Sequence, residues 1–232
     1  MDRVYQQALN EHIKHDTQML FLAGPRQVGK TTLAKQYQKQ YSESVYLNWD
    51  VVKDRTKILS GQNFIEDILP LEILRDKKPL VIFDEIHKFK DWKNYIKGFY
   101  DLYSESYHIL VTGSARLDIF QSGGDSLMGR YFQLRIHPLS VRELVHHNIE
   151  STQIQSPHKI ENDLFEKLYD IGGFPAPFLN GTQSFSIKWQ SLRSKQLFYE
   201  DIQNLSNIHE ISQLEALAEL LKYQTGQLLN RT

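Results

Sequence analysis

The sequence predicts an α/β fold: a mainly parallel five-stranded sheet flanked by helices, followed by a small helical subdomain. Three observations carry this expectation. Short runs of consecutive apolar residues, such as Met19 to Ala23 and Leu80 to Phe83, suit strands covered on both faces. Stretches with helical spacing alternate with those runs, and that order implies crossover connections between parallel strands. Beyond about residue 150 the helical stretches continue with no strand between them.

The elements follow in order. Between Asp2 and Ile13 the residues Val4, Tyr5, Ala8, Leu9 and Ile13 recur at helical spacing and predict an N-terminal amphipathic helix. Met19 to Ala23 is the first strand, and Gly24-Pro25 breaks it. A helix is expected from Lys30 to about Gln40, a second strand at Val45 to Leu47, and a helix at Phe64 to Leu74. Leu80 to Phe83 and His108 to Thr112 supply the third and fourth strands. Between them, Trp92, Tyr95, Ile96, Phe99 and Tyr103 mark one helix face after the cap candidate Asp91. Tyr131 to Ile136 is the fifth strand, which sets the sheet domain at residues 1–148. Ser151 to Pro157 reads as a linker. Helices at Asn162 to Ile171 and Ser186 to Gln203 form a subdomain over 149–210, and Ile211 to Leu221 begins a further segment over 211–232. Leu214 to Leu229 is strongly apolar with three residues after it, so a continuation downstream is expected.

Composition narrows the function classes. A chain of 232 residues can bury a core without staples, and it has no cysteine. Its first residues lack a signal-peptide pattern, and no run approaches the length needed to span a bilayer, so a cytoplasmic protein with no membrane partner is expected. With 27 Lys+Arg against 28 Asp+Glu the net charge is −1, which gives no general attraction to polyanions. None of the nine histidines falls in a metal-binding spacing: His12/His15 and His146/His147 lack companion ligands. Lys88, Lys90, Lys93 and Lys97 stand among aromatic residues, and helical spacing makes the aromatics a buried face and the lysines its solvated side.

The chemistry concentrates in two motifs. Gly24-Pro25-Arg26-Gln27-Val28-Gly29-Lys30-Thr31 fits G-x-x-x-x-G-K-[ST] between a strand and a helix. Such a loop turns main-chain amides towards phosphates at the positive end of a helix. Lys30 would reach the β- and γ-phosphates and the Thr31 hydroxyl would hold Mg²⁺, whereas the Arg26 side chain is expected to point outward. Leu80-Val81-Ile82-Phe83-Asp84-Glu85 delivers two carboxylates to a strand end, where open sheets bind ligands. Asp84 is the second Mg²⁺ residue, through the ion's water shell, and Glu85 the group that orients and deprotonates an attacking water. A third strand tip, Thr112-Gly113-Ser114, offers Thr112 or Ser114 as a contact for that water or the γ-phosphate, or simply a helix cap for Arg116 to Phe120. Arg130, just before the fifth strand, is either a guanidinium for transition-state charge, within the chain or towards a neighbouring subunit, or an ordinary surface arginine.

On these residues the chain resembles the bacterial and archaeal ATPases of the AAA+ superfamily in which an ATPase module precedes a C-terminal domain of unknown function. The resemblance rests on the N-terminal helix, Gly24 to Thr32, Val81 to His87, Val111 to Ala115, Gly129-Arg130, Pro138-Leu139-Ser140, Arg142-Glu143 and Gly172-Gly173-Phe174-Pro175. It implies a P-loop NTPase sheet in which the Gly24–Thr32 segment, Asp84-Glu85 and Ser114 meet around ATP and Mg²⁺, with a helical lid after about residue 150. ATP rather than GTP follows from it, and no guanine-reading N-K-x-D motif is present. The sequence departs from the family at Glu200, where an arginine usually precedes the aspartate corresponding to Asp201, and in length, since similar proteins continue through a winged-helix segment.

The implied activity is Mg²⁺-dependent ATP hydrolysis that moves the helical part against the sheet, possible in a homo-oligomer if Arg130 reaches a neighbour. A nucleotide-dependent switch acting on a protein or nucleic-acid partner with little hydrolysis is the alternative. A small-molecule phosphotransferase would use several lid arginines, and residues 150–200 contain only Arg193.

Overall fold

Five strands form one parallel sheet in the order β2-β3-β4-β1-β5: β1 (Met19–Ala23), β2 (Ser44–Asn48), β3 (Leu80–Asp84), β4 (His108–Thr112) and β5 (Tyr131–Arg135). The structure, a computed structural model, describes residues 3–113, 127–145, 158–202 and 210–226. The expected linker Ser151 to Pro157 and the helix Arg116 to Phe120 lie outside them.

Alternation along each strand sends successive side chains to opposite faces, so the sheet builds two cores. Met19, Phe21, Val81, Phe83, Ile109 and Val111 face α3 (Val52–Leu59), α4 (Phe64–Ile68) and α5 (Trp92–Tyr103), which bury Ile58, Ile65, Trp92, Ile96 and Phe99. Leu20, Leu22, Leu80, Ile82 and Leu110 face Leu9 of α1 (Tyr5–His15) and Leu33, Ala34 and Tyr37 of α2 (Lys30–Gln38). The inner strands β1 and β3 are buried at every residue, whereas the edge strand β2 buries only Val45 and Leu47.

Several elements depart from the sequence expectation. The helix begun at Phe64 stops at Ile68, not Leu74. Pro70 explains the stop, because it lacks an N–H and pushes the preceding Leu69 out of helical geometry, to φ −128° and ψ 78°. The apolar residues beyond it are exposed, Leu74 completely. Helix α3, a single 3₁₀ turn at Ile86–Lys88 and α6 (Val141–Val145) were not expected. Asp91 does stand at the N-cap of α5, but its carboxylate accepts from Asn94 Nδ2 at 2.7 Å and makes no cap bond.

The chain divides into two compact units, Met1–Ala176 and Pro177–Thr232, a division later than the boundary expected at residue 148. Helix α7 (Asn162–Ile171) falls in the first unit, and the Leu139 N–H donates to the Gly173 carbonyl at 2.6 Å just beyond it. Helix α8 (Pro175–Asn180) spans the division. In the second unit α9 (Gln183–Gln196) starts at Thr182, whose hydroxyl accepts from the Phe185 N–H, and passes into a π turn at Leu197–Ile202 rather than continuing as α-helix to Gln203. That turn packs against α9 and α10 (Ile211–Tyr223). No helix among the described residues is long and apolar enough to cross a membrane.

Candidate active site

The glycine loop leaves β1 where the chain beyond β5 comes close. The Ile136 N–H donates to the Ala23 carbonyl at 2.7 Å, and a Cβ at Gly24 would stand 2.3 Å from the Ile136 oxygen. Only glycine passes there without displacing backbone. Gln27 (φ 63°) and Gly29 (φ 99°) then take left-handed geometry and curl the loop into α2, a conformation that turns successive N–H groups into an anion-binding concavity. Within the segment Val28 is fully buried, Arg26 and Pro25 are half-buried and Gln27 and Thr32 are exposed. The expected outward course of Arg26 is thus only partial. Lys30 is 5% exposed, and its ammonium lies on the loop, donating to the carbonyls of Gly24 (3.0 Å) and Pro25 (2.9 Å).

Asp84 ends β3 on the sheet face that carries α2. The pleat places Tyr46 and Asn48 of β2 and Thr112 of β4 on that same face, and all three reach its carboxylate. Thr31 Oγ1 stands 3.0 Å from Asp84 Oδ2 and 3.3 Å from Oδ1, so the start of α2 and the end of β3 meet at these groups. The donor set is entirely oxygen, which suits a hard cation such as Mg²⁺. Among the described residues no group of three or more His, Cys, Asp or Glu could hold a metal by itself. A cation held by Thr31 and Asp84 would therefore complete its shell with water and phosphate oxygens, the usual habit of Mg²⁺.

A family model for the AAA domain matches residues 16–145, more than half of the chain. The chain belongs to the AAA domain family. Its relatives include an uncharacterized protein of Haemophilus influenzae, 23% identical over 90% of this chain and 52% of its own length. Another is an uncharacterized protein of Mycobacterium tuberculosis, 22% identical over 93% of this chain and 43% of its own. The chain thus spans about half the length of these curated relatives. Among solved structures, the Aeropyrum pernix ORC1 protein in complex with DNA aligns at 15% identity and a TM-score of 0.43, covering 60% of this chain and 46% of that one. The C. elegans PCH-2 structure aligns at 18% identity and a TM-score of 0.42, covering 72% and 53%.

The remaining candidates of this AAA module are placed as follows. Glu85, next to Asp84, has left-handed backbone (φ 58°, ψ 22°) that turns the chain out of β3. Its carboxylate is 3.4 Å from the Lys88 ammonium, which also donates to Asp50 Oδ2 at 2.5 Å, and 3.8 Å from His87 Nε2. Ser114 lies outside the described residues. Thr112, the other candidate at that strand tip, is fully buried and bonded to Asp84. The structure does not bring Arg130 to the loop of its own chain. Its carbonyl accepts from the Met19 N–H at 2.9 Å, so it stands at the start of β1, whereas the loop leaves from β1's end. Its guanidinium donates to both carboxylate oxygens of Asp101, from Nε at 2.7 Å and from Nη2 at 3.2 Å.

Sequence reasoning missed two residues of the site. Arg3, ahead of α1, donates to the Val28 carbonyl at 3.0 Å, to the His137 carbonyl at 2.7 Å and to both oxygens of the buried Glu143 in α6. Tyr46 donates to Asp84 from a strand whose alternation is readable but whose register is not. A cleft of about 310 Å³ lined by Ala23, Gly24, Pro25, Gln133, Arg135, His137 and Pro138 opens beside the loop. Gly24 and Pro25 belong to the glycine loop as well, so this cleft adjoins its first residues, while Ala23 packs into the core on the α5 side of the sheet.

Proposed function

We propose that the module binds ATP with Mg²⁺ and hydrolyses it, using the cycle to change the arrangement of its helical part. One observation carries the reading: Lys30, Thr31 and Asp84 converge at the start of α2, with the Thr31 hydroxyl 3.0 Å from the Asp84 carboxylate. In this reading the amides of Gly24 to Thr32 cradle the phosphates and Lys30 leaves its loop carbonyls for the β- and γ-phosphates. Thr31 and Asp84 hold the cation, which neutralises charge developing on the phosphoryl oxygens. Glu85 accepts the proton of the attacking water, and Ser114 is the candidate contact for the γ-phosphate. The preference for ATP, the helical lid after residue 148 and the C-terminal segment from 211 are part of the same proposal.

Calorimetry with Mg²⁺ and a non-hydrolysable ATP analogue, paired with a phosphate-release assay, tests it. Lys30→Ala should lose at least tenfold in affinity, since an ion-paired phosphate contact is removed. Glu85→Gln should keep binding and lower turnover by roughly 10²–10⁴-fold, the usual worth of a general base. Wild-type turnover in Glu85→Gln would remove Glu85 from the mechanism, and no binding by the unaltered protein would remove the reading altogether.

A second reading, a nucleotide-dependent switch with little hydrolysis and a protein or nucleic-acid partner, is favoured by the Lys88 tether. Lys88 stands 3.4 Å from Glu85 while bonded to Asp50, an arrangement that engages the carboxylate with a cation. Overnight incubation with ATP separates the two: stoichiometric binding without phosphate release selects the switch.

A further inference from the structure

Asp84 is 1% exposed, yet it is surrounded by hydroxyls that differ in what they do to it. The Tyr46 hydroxyl donates to Oδ2 and the Thr112 hydroxyl to Oδ1, one from each neighbouring strand. Thr31 approaches both oxygens from α2 at 3.0 and 3.3 Å, and Asn48 Nδ2 adds a long contact of 3.5 Å to Oδ2. A carboxylate offers about four lone-pair sites. The two strand hydroxyls bond one oxygen each and so restrain the rotation of the carboxylate plane, while Thr31 approaches both oxygens from α2.

Tyr46 is itself held. The Lys35 ammonium of α2 lies 4.9 Å from its ring centroid, a cation–π contact that anchors the ring between α2 and β2.

We propose that Tyr46 is a positioning residue for the cation: its hydroxyl sets the orientation in which Asp84 meets Mg²⁺ opposite Thr31. The inference rests on the Mg²⁺–nucleotide reading above. It follows from the register of β2 on β3, in which Asn48 pairs with Asp84 and Tyr46 lies two residues back on the same face, within reach of the strand end. Groups that hydrogen-bond a metal ligand orient it and commonly change metal affinity by about 10–100-fold when removed. A Tyr46 that only satisfied a buried carboxylate would affect folding and leave metal dependence alone.

The test uses Tyr46→Phe, which keeps the ring and its contact with Lys35 and deletes the hydroxyl. Binding of a non-hydrolysable ATP analogue is measured by calorimetry in Mg²⁺ and in EDTA, with Mn²⁺ binding to the nucleotide complex followed by electron paramagnetic resonance. The expected result is an affinity in EDTA within about twofold of the unaltered protein, a Mg²⁺ enhancement reduced about tenfold, and a matching weakening of Mn²⁺. Unchanged or stronger Mg²⁺ enhancement overturns the proposal, as does an equal loss in both buffers. If the unaltered protein binds nucleotide in neither buffer, the underlying reading fails. If it shows the enhancement and Tyr46→Phe shows it equally, only the role of Tyr46 fails.

Discussion

Glu85 and Gln27 are the two non-glycine residues with positive φ among those described, and both stand where the chain turns at the candidate site. Left-handed backbone costs a glutamate on the order of 1 kcal/mol or more, so the conformation persists because surrounding structure imposes it. Glu85→Gly should relieve that cost: a melting temperature raised by an amount equivalent to about 1 kcal/mol, together with lost turnover, is expected from thermal melts and a phosphate assay. A destabilised variant would mean that the Lys88 contact outweighs the strain. His108, at the start of β4, gives a pH prediction at the same scale. Burial, then the nearby Lys78 ammonium and His12, push its imidazole down from 6.5 to about 4. As pH falls the unfolded chain binds this proton first, so the stability gained by keeping His108 neutral is complete above about 6.5 and is lost as pH falls towards 4. Melting temperatures measured from pH 7 to pH 4 should fall less steeply in His108→Gln than in the unaltered chain, and equal slopes would exclude His108 as a source.

Between elements, Arg3 is the tie that matters most. It joins the segment before α1, the loop carbonyl of Val28, the chain after β5 and Glu143 of α6, with 9% and 4% of the two charged side chains exposed. Removing one partner of a buried pair leaves a charge without compensation, so Arg3→Ala should cost about 3–5 kcal/mol in urea unfolding. The double change Arg3→Met with Glu143→Leu should recover most of that, because apolar side chains of similar volume remove the stranded charge. Phosphate affinity should not recover with it. A planar peptide whose carbonyl Arg3 fixes on one side presents its Gly29 N–H on the other, towards the concavity, and the double variant lacks that hold. Recovery of both would make the pair purely structural. None of this was legible in the sequence, where Arg3 and Glu143 are 140 residues apart. What was legible had a local cause: the glycine loop follows from its spacing, and β1 and β3 from unbroken apolar runs. Helix α3 is not legible because its Lys53, Asp54, Arg55 and Thr56 give one turn of polar residues and only Ile58 is buried. Helix α4 is shorter than the expected Phe64 to Leu74 because Pro70 stops it, although Leu71, Ile73 and Leu74 beyond it are apolar. Tyr46 meets Asp84 through the register of two strands, which alternation alone does not specify.

At the scale of the molecule, the sheet separates Arg130 from the site it was expected to serve. Arg130 is level with Met19, and the loop begins after Ala23; four steps of about 3.3 Å put roughly 13 Å of strand between them. A guanidinium there reaches a γ-phosphate only if a second copy brings its own site to this edge. The present partner offers little opposition to such a move, since the Arg130–Asp101 pair is solvent-accessible and screened by water. The consequence is a complementation experiment. Arg130→Ala should bind nucleotide within about twofold of the unaltered protein and lose turnover by about 10³-fold or more if its charge serves the transition state. Glu85→Gln should also be inactive, through its own site. Mixed together, the two variants can form an interface in which an intact Glu85 from one copy faces an intact Arg130 from the other, and part of the activity should return, greatest at equal amounts and falling when either variant is in excess. A mixture that stays inactive while Arg130→Ala remains folded would rule out the shared site, and full turnover by Arg130→Ala alone would make it a surface arginine tied to Asp101.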